Sequence, residues 1–379
     1  MAYTDLDNDL AVTKWRSKYW QEYVRMSGYA RFMKESPNAI ITTTMELIDG
    51  GKDLIIPLIG SLSGGGVGSG LLTGAEERLA NFPFRTRPVW RRNGVVVKKS
   101  TLKKSNIELL EANKDSLKIW SSDDLRRRIG LAFTTVAFDD TVYNEETGAQ
   151  NAVYYNNANA TQRNNWLSDN YNRALFGISQ SNTVVGNVAS SLANVDTVND
   201  TWSSGMIDAL VDMAQYRDET ASPQRRALRP YRSEGDDGRE WFVLFVGTRA
   251  FNKLRQDPDI KAFNRDSRER EVSKNPYFVG GDLEWNGVLI RKVPEQRFVL
   301  PGVGTAGADV EMGFFCGAQA LVVAWGQEPI TTQRRDDDYQ FIKGVGTEEL
   351  RSVDKTFFKE AGAVGPGTQW GCITAFGAV

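Results

Sequence analysis

The chain has 379 residues, 41% hydrophobic and 25% charged, with 46 basic and 48 acidic side chains and a net charge of -2. That composition is ordinary for a globular protein, long enough for two or three lobes, and not basic enough for a generic nucleic-acid binder. No histidine occurs, which removes the commonest general base, the commonest metal ligand and the Ser-His and Cys-His nucleophile pairs.

Residues 1–47 read as an N-terminal arm. Trp15, Tyr19, Tyr23 and Met26 recur at the spacing of one helical face, with Lys14, Lys18, Gln21 and Glu22 elsewhere. Nothing adjacent in sequence covers that stripe, so a neighbouring subunit is the expected cover. The start, MAYTDLDNDLAVTKW, lacks the basic and apolar regions of a secretory signal. No apolar run reaches the roughly eighteen residues of a membrane span, and no membrane partner is expected.

Residues 48–118 predict an extended β-ribbon. Leu54–Ile59 is a short apolar strand, followed by the glycine-rich tip Gly60–Gly70. Strand-like stretches follow at Phe82–Trp90, Gly94–Lys98 and Ile107–Leu110. Basic residues are dense, with Arg85, Arg87, Arg91, Arg92, Lys98, Lys99, Lys103 and Lys104. An isolated ribbon is marginal in water, so this one is expected to lie on something else. Phe82, Phe84, Arg85, Arg87, Trp90, Arg91 and Arg92, with Trp15, Tyr19 and Tyr23 of the arm, are the candidate subunit contacts. The arginines are expected to pair with acids of the next subunit, since a planar guanidinium holds a carboxylate bidentately. The competing reading is DNA binding with the aromatics as stacking platforms.

Ser122 is placed to cap a helix that begins at Asp123. Residues 144–165, rich in Asn and Ala, read as a loop or insertion. Trp166, Leu167, Tyr171, Ala174, Leu175 and Ile178 predict a longer helix over 161–180. A polar connector over 181–201 precedes a helix marked by Met206, Leu210, Val211 and Met213. Then come a charged loop over 221–240, the strand Trp241–Val246, a helix Arg249–Gln256 capped by Thr248, and a hairpin at Asn286-Gly287.

The motifs that invite chemistry have simpler readings. The Gly60–Gly70 stretch lacks the Lys-Ser/Thr pair of a phosphate loop. Gly302, Gly304 and Gly307 match G-x-G-x-x-G without a βαβ unit and read as a turn before a strand. Asp336–Asp338 reads as a solvated loop; Glu145-Glu146 and Glu76-Glu77 are paired acids without evident partners. Cys316, inside the apolar run MGFFCGAQALVVAW, reads as a small buried hydrophobe. With Cys372 it forms neither a disulfide framework nor a zinc motif, which fits folding in a reducing cytoplasm. No catalytic, cofactor or metal residues are assigned.

In order along the chain stand Leu54–Ile59, the glycine-rich tip, Leu71–Glu77, Trp241–Val246, Leu254–Asp259, Asn275–Gly280, Asn286–Ile290, Gly317–Leu321 and Ala324–Gly326. Over about residues 45–360 this order resembles the major capsid proteins of tailed bacteriophages, in particular the group typified by the coat protein of podophage N4. The resemblance implies an α+β chain with the Hong Kong 97-like capsid fold. It assigns the arm (1–47), an extended loop (48–118), a peripheral domain with a long spine helix (119–190), an axial domain (191–325), and return strands with a C-terminal tail (326–379). It implies self-assembly, as hexamers and pentamers, into an icosahedral head enclosing double-stranded DNA that the wall contacts weakly. The head would be assembled in the host cytoplasm and end as the virion shell. A separate scaffolding protein is expected because only about 47 residues precede the ribbon. A portal and cement proteins are further implied partners. Two alternatives stand beside this: an encapsulin-like shell of a bacterial cargo-loading nanocompartment and, ranked below it, a histidine-free carbohydrate-active enzyme.

Overall fold

A computed structural model gives the structure of the chain and describes residues 22, 27–45, 53–59, 67–69, 73, 76, 81–98, 100, 109–216, 227–232, 240–266, 282–294, 298–334, 341–359 and 362–379. Strands β1 (Met33–Lys34), β2 (Ile41–Thr44), β3 (Leu54–Ile59), β4 (Asn81–Thr86) and β5 (Val89–Lys98) precede a 25-residue helix, α1 (Leu109–Phe133). Next come β6 (Thr135–Phe138), β7 (Ala152–Tyr154), α2 (Ala160–Asp169), β8 (Ala174–Phe176), α3 (Val188–Ala193) and α4 (Ser204–Gln215). Then follow β9 (Tyr231–Arg232), β10 (Glu240–Val246), α5 (Thr248–Gln256), α6 (Pro258–Asp266), β11 (Leu283–Trp285), β12 (Val288–Lys292) and β13 (Val299–Leu300). The last strands are β14 (Val310–Cys316), β15 (Leu321–Arg334), β16 (Ile342–Lys355), β17 (Phe357–Phe358), β18 (Thr368–Gln369) and β19 (Cys372–Ala378).

The central sheet runs β11-β12-β10-β14-β19-β8, with β9 on β10 and β13 on β14. Both of its faces are buried. Along β10, Val243 and Phe245 enter one core while Phe242, Leu244 and Val246 enter the other. That is why Trp241–Val246 is a continuous apolar run with no polar alternation. On one face Leu125, Ile129 and Phe133 of α1 meet the sheet, and the Phe133 ring stacks on Phe314 at 5.2 Å. On the other face lie Met206, Ile207 and Leu210 of α4, Phe251 and Leu254 of α5, and Ile260 of α6.

A second sheet runs β1-β2-β15-β16-β5. Its strands β15 and β16 are 14 residues each, paired antiparallel, with register shifts between Trp325 and Ile330. Residues 321–325 are buried, whereas the far halves, with residues 94–98 of β5, carry mixed and exposed side chains.

Two helical expectations are corrected. The helix expected from Asp123 spans Leu109–Phe133, and Leu109 and Leu110 are helical where a strand was expected. The buried positions Leu117, Ser121, Leu125, Ile129 and Phe133 recur every fourth residue. A serine at 121 interrupts the apolar signal; its Oγ donates to the Leu117 carbonyl at 3.0 Å. The helix expected over 161–180 ends at Asp169. Asn170 Nδ2 donates to the Trp166 and Gly367 carbonyls, both at 2.9 Å, so its amide competes with the helix ladder. A 3-10 turn, Tyr171–Arg173, then leads into β8, which pairs parallel with β19 and stacks Phe176 on Phe376 at 4.5 Å. The apolar residues 174–176 therefore serve a strand.

The supposed insertion at 144–165 holds β7, paired with β6, and the start of α2. Asn159 and Gln162 form a capping box there. The connector 181–201 includes α3. The cap of α5 is Gly247, not Thr248. The expected hairpin is present, with Asn286 and Gly287 at φ 46° and 73° joining β11 to β12. Gly302 and Gly307 adopt φ 66° and 78° in the turn before β14.

Candidate assembly interface

The β3–β4 hairpin has two unlike faces. Leu54, Ile56 and Leu58 alternate with Ile55, Pro57 and Ile59, and Phe82, Phe84 and Thr86 with Asn81, Pro83 and Arg85. The inner set covers the body of the subunit: Phe82 lies 5.0 Å from Phe358, Phe84 lies 6.3 Å from Phe138, and Leu58, Phe84 and Phe358 form one buried cluster. Each such ring contributes about 1.5–3 kcal/mol by leaving water. The outer set forms an apolar strip. Ile55 is 61% exposed and Ile59 45%, with Pro57 opposite Pro83 between them.

Asp53 anchors the base of this hairpin. Its carboxylate pairs with Arg85, and Arg87 Nε donates to Oδ1 at 2.7 Å. Burial works to raise the Asp53 carboxyl, and the bonds from Arg85 and Arg87 outweigh it and hold the group below the ordinary range. The Arg87 guanidinium also lies 4.8 Å over the Tyr143 ring.

Beyond Val89 the chain meets a charged junction between β5, β16 and α1. Arg351 Nη2 donates to Asp124 Oδ2 at 2.6 Å, with Arg127 Nη2 on Oδ1 of the same carboxylate at 2.6 Å. Arg128 approaches that carboxylate at 3.8 Å, and Arg351 lies 3.0 Å from Glu349. Asp124 is buried, which works against its charge; Arg351, Arg127, Arg128 and Arg91 together overcome this and hold its carboxyl down. Arg91 is 7% exposed, and burial, then the nearby Arg128, lowers its guanidinium to about 10. At the other end of α1, Lys355 is wholly buried and donates to the Phe133 carbonyl at 2.9 Å, a cation on a helix C-terminus. Burial lowers its ammonium below the usual lysine range.

The candidate contacts thus divide. Arg85, Arg87 and Arg92 have acids within their own subunit; Arg92 Nε lies 3.4 Å from Glu348. The pairing with acids of the next subunit that was expected of the four arginines therefore competes with these internal pairs. Phe84 and Arg91 are buried in their own chain, and Phe82 is half-buried against Phe358. Trp90, 38% exposed, and Arg92, whose side chain is 72% exposed, face outward. Trp15, Tyr19 and Tyr23 lie outside the described residues, as do Asp336–Asp338 and most of the glycine-rich tip. The acids Asp53, Asp124, Glu348 and Glu349 were missed: register alone joins Arg91 to Glu349 and Arg92 to Glu348 across 258 and 256 residues of chain. For Asp124 the sequence did carry a sign, with basic residues three and four positions later.

Among the described residues no cluster of three or more acids or cysteines is placed to hold a metal ion, and no helix is long and apolar enough to cross a membrane. Cys316 and Cys372 are both buried and face each other from β14 and β19 with sulfurs 3.9 Å apart.

A family model described as phage capsid protein matches residues 3–379. The chain belongs to that family. This capsid protein is 27% identical over 374 residues to the major capsid protein of Pseudomonas phage KPP25, covering 96% of this chain and 94% of that one. The capsid of Cyanophage Pam1 superposes with a TM-score of 0.75 at 29% identity, over 94% of this chain and 93% of that one. The capsid of Ralstonia phage GP4 shares the fold, with a TM-score of 0.66 at 18% identity over 92% and 90%. The protein is a phage major capsid protein, a component of the virion, with the Hong Kong 97-like capsid fold. These relatives favour neither the nanocompartment nor the glycan-enzyme reading.

Proposed function

We propose that this capsid protein builds an icosahedral head around double-stranded DNA, with the outer face of the β3–β4 hairpin as a principal contact between subunits. The observation that carries this is the strip Ile55, Pro57, Ile59 and Pro83, apolar and outward on a two-stranded ribbon whose other face is already covered. A soluble chain that always stood alone would not keep such a strip on a ribbon. Trp90, Arg85 and Arg92 extend the surface at its base. Many such contacts, each moderate, hold a closed shell.

In the domain assignment that accompanies this reading, the role of spine passes from the helix expected over 161–180, which ends at Asp169, to α1, and β10 and β14 with α4 to α6 form much of the axial part over 191–325. Residues 1–47 form the arm and the β15–β16 hairpin belongs to the returning peripheral strands. A separate scaffolding protein, a portal and cement proteins complete the head, which is assembled in the host cytoplasm. A net charge of -2 suits a wall that contacts DNA weakly. The finer grouping with N4-type coat proteins is the reading of the sequence motifs.

Negative-stain microscopy of the purified chain, with and without its scaffold, tests the reading. Closed icosahedral shells are expected. An Ile55→Asp, Ile59→Asp pair should leave a folded subunit that no longer closes them. Normal shells from that pair would remove the hairpin from the interface, and particles loaded with a cargo enzyme and no genome would overturn the head reading.

A further inference from the structure

Four arginines of the basic ribbon were expected to seek acids, and three find them within the chain. Arg91 does not. Its Nη2 has no hydrogen-bond partner among the described residues, and its guanidinium lies against Gly148, where an added Cβ would fall 2.6 Å from Nη1. The same junction holds Arg128, whose Nε also lacks a hydrogen bond among the described residues, and Arg351. Against these three guanidiniums stand two buried carboxylates, Asp124 and Glu349. Glu349 is opposite Arg91 in register but is engaged by Arg351 at 3.0 Å. Arg91 is therefore the buried guanidinium on the floor of the junction that no acid pairs directly among the described residues.

A cleft of about 650 Å³ opens on this floor, between β5, α1 and the 145–148 turn. Trp90 and Trp120 wall it, and Arg127 stands at its rim. The rim also carries Glu145, Glu146 and Glu348, so the lining as a whole is balanced in charge. Position decides which charges count. Glu145 is exposed and holds the Tyr143 hydroxyl at 2.7 Å, Glu348 is paired with Arg92, and Glu146 is exposed to solvent. Rim charges are screened by water and salt, whereas the buried guanidinium is not.

We infer that this cleft is a socket for an acidic side chain of a second copy of the capsid protein, whose carboxylate completes the Arg91–Arg128 pair. A protein occupant suits the site because arginine and tryptophan around a desolvated pocket are the composition of an interface hot spot. A nucleic acid suits it poorly, since its phosphates would pass three rim carboxylates. A second copy is the neighbour at hand in a shell, and the chain has the acids to offer: 48 against 46 bases overall, facing a buried Arg91 that has no ion pair of its own among the described residues. The inference rests on the shell reading above and goes further by naming the socket and the chemistry of what enters it.

A cryo-electron microscopy map of shells formed by the unaltered chain tests it directly. The expected result is an Asp or Glu carboxylate of a neighbouring subunit within about 3 Å of Arg91 Nη2. A water, a phosphate, or Glu146 of the same chain in that place would overturn it. The Arg91→Met substitution gives an independent reading. Removing an uncompensated buried cation should leave the free subunit at least as resistant to urea, while shell yield at fixed subunit concentration falls by about tenfold or more. A destabilised subunit would show that Arg91 serves its own chain, and an unchanged yield would show that nothing docks there; either overturns the inference. If the unaltered chain forms no shells, the shell reading itself fails and this inference falls with it.

Discussion

Replacing Glu311 with glutamine isolates the effect of one buried proton. Glu311 sits wholly buried in β14, where a Cβ on Gly247 would collide with its carboxyl. One oxygen accepts the Ala250 amide at 2.6 Å and so closes the first turn of α5, which has no side-chain cap of its own. The other oxygen has no partner among the described residues. Burial pushes this carboxyl up to about 7, against the opposing pull of the Ala250 amide and Arg249, from 4.5 in an unfolded chain. The folded state therefore holds the proton more tightly. Its stabilisation is full below pH 4.5 and is lost as pH rises through about 7. At about 1.4 kcal/mol for each pH unit, that interval amounts to about 3 kcal/mol. Glutamine keeps the acceptor for Ala250 and carries no charge at any pH. Urea unfolding of free subunits across pH 4.5 to 8 should show Glu311→Gln gaining on the native chain by about 3 kcal/mol toward the alkaline end. A difference that stays flat with pH, or that grows toward acid, would refute the assignment of a buried proton to Glu311.

Asp124→Ala should cost about 3–5 kcal/mol in urea unfolding, because it takes away the carboxylate shared by Arg351, Arg127 and Arg128 and leaves buried Arg351 with Glu349 alone. The depressed Asp124 carboxyl also stabilises the fold above the ordinary 3.8, and that contribution is lost as pH falls through its folded value, so the variant should show a shallower acid transition. Phe376→Ala removes a ring stacked on Phe176 and should cost about 3–5 kcal/mol, read as a lower unfolding midpoint. Gly247→Ala drives a Cβ into Glu311 and should cost about 1–3 kcal/mol. In a double-mutant cycle with Glu311→Ala much of that loss should disappear. Cys316 and Cys372 are buried, so a thiol reagent should label them only at denaturant concentrations that unfold the subunit; prompt labelling of native subunits would contradict their burial.

Local patterning carried the sequence reading as far as local physics reaches. Trp241–Val246 and Asn286-Gly287 were legible because an apolar run and a turn that needs positive φ are each written in adjacent residues. The extent of α1 was obscured by Ser121, a buried serine on the helix's own apolar stripe. The end of α2 was obscured because the apolar residues 174–176 satisfy helical spacing as well as a strand, and only their pairing with residues 374–376 decides between them. At the candidate interface the arginines were visible but their partners were not. Asp53 lies more than thirty residues before Arg87, and Glu348 reaches Arg92 only through the β5–β16 register. Exposure of Ile55 and Ile59, which carries the assembly reading, depends on which face of the hairpin meets Phe358.

The pairing of β8 with β19 also sets a timetable. Phe176 leaves the ribosome 200 residues before Phe376, the ring it stacks on, and β8 has no other neighbour in the sheet path. At roughly 5–20 residues per second, that separation is a delay of about 10–40 s. Throughout it, one edge of the nascent domain keeps an apolar strand unpaired, and β10 likewise awaits β14. In a cell making many copies at once, these waiting edges are where neighbouring chains could join wrongly. Correct closure of this sheet edge therefore waits on one of the last strands to be made, because β8 pairs only once residues 374–376 are in place.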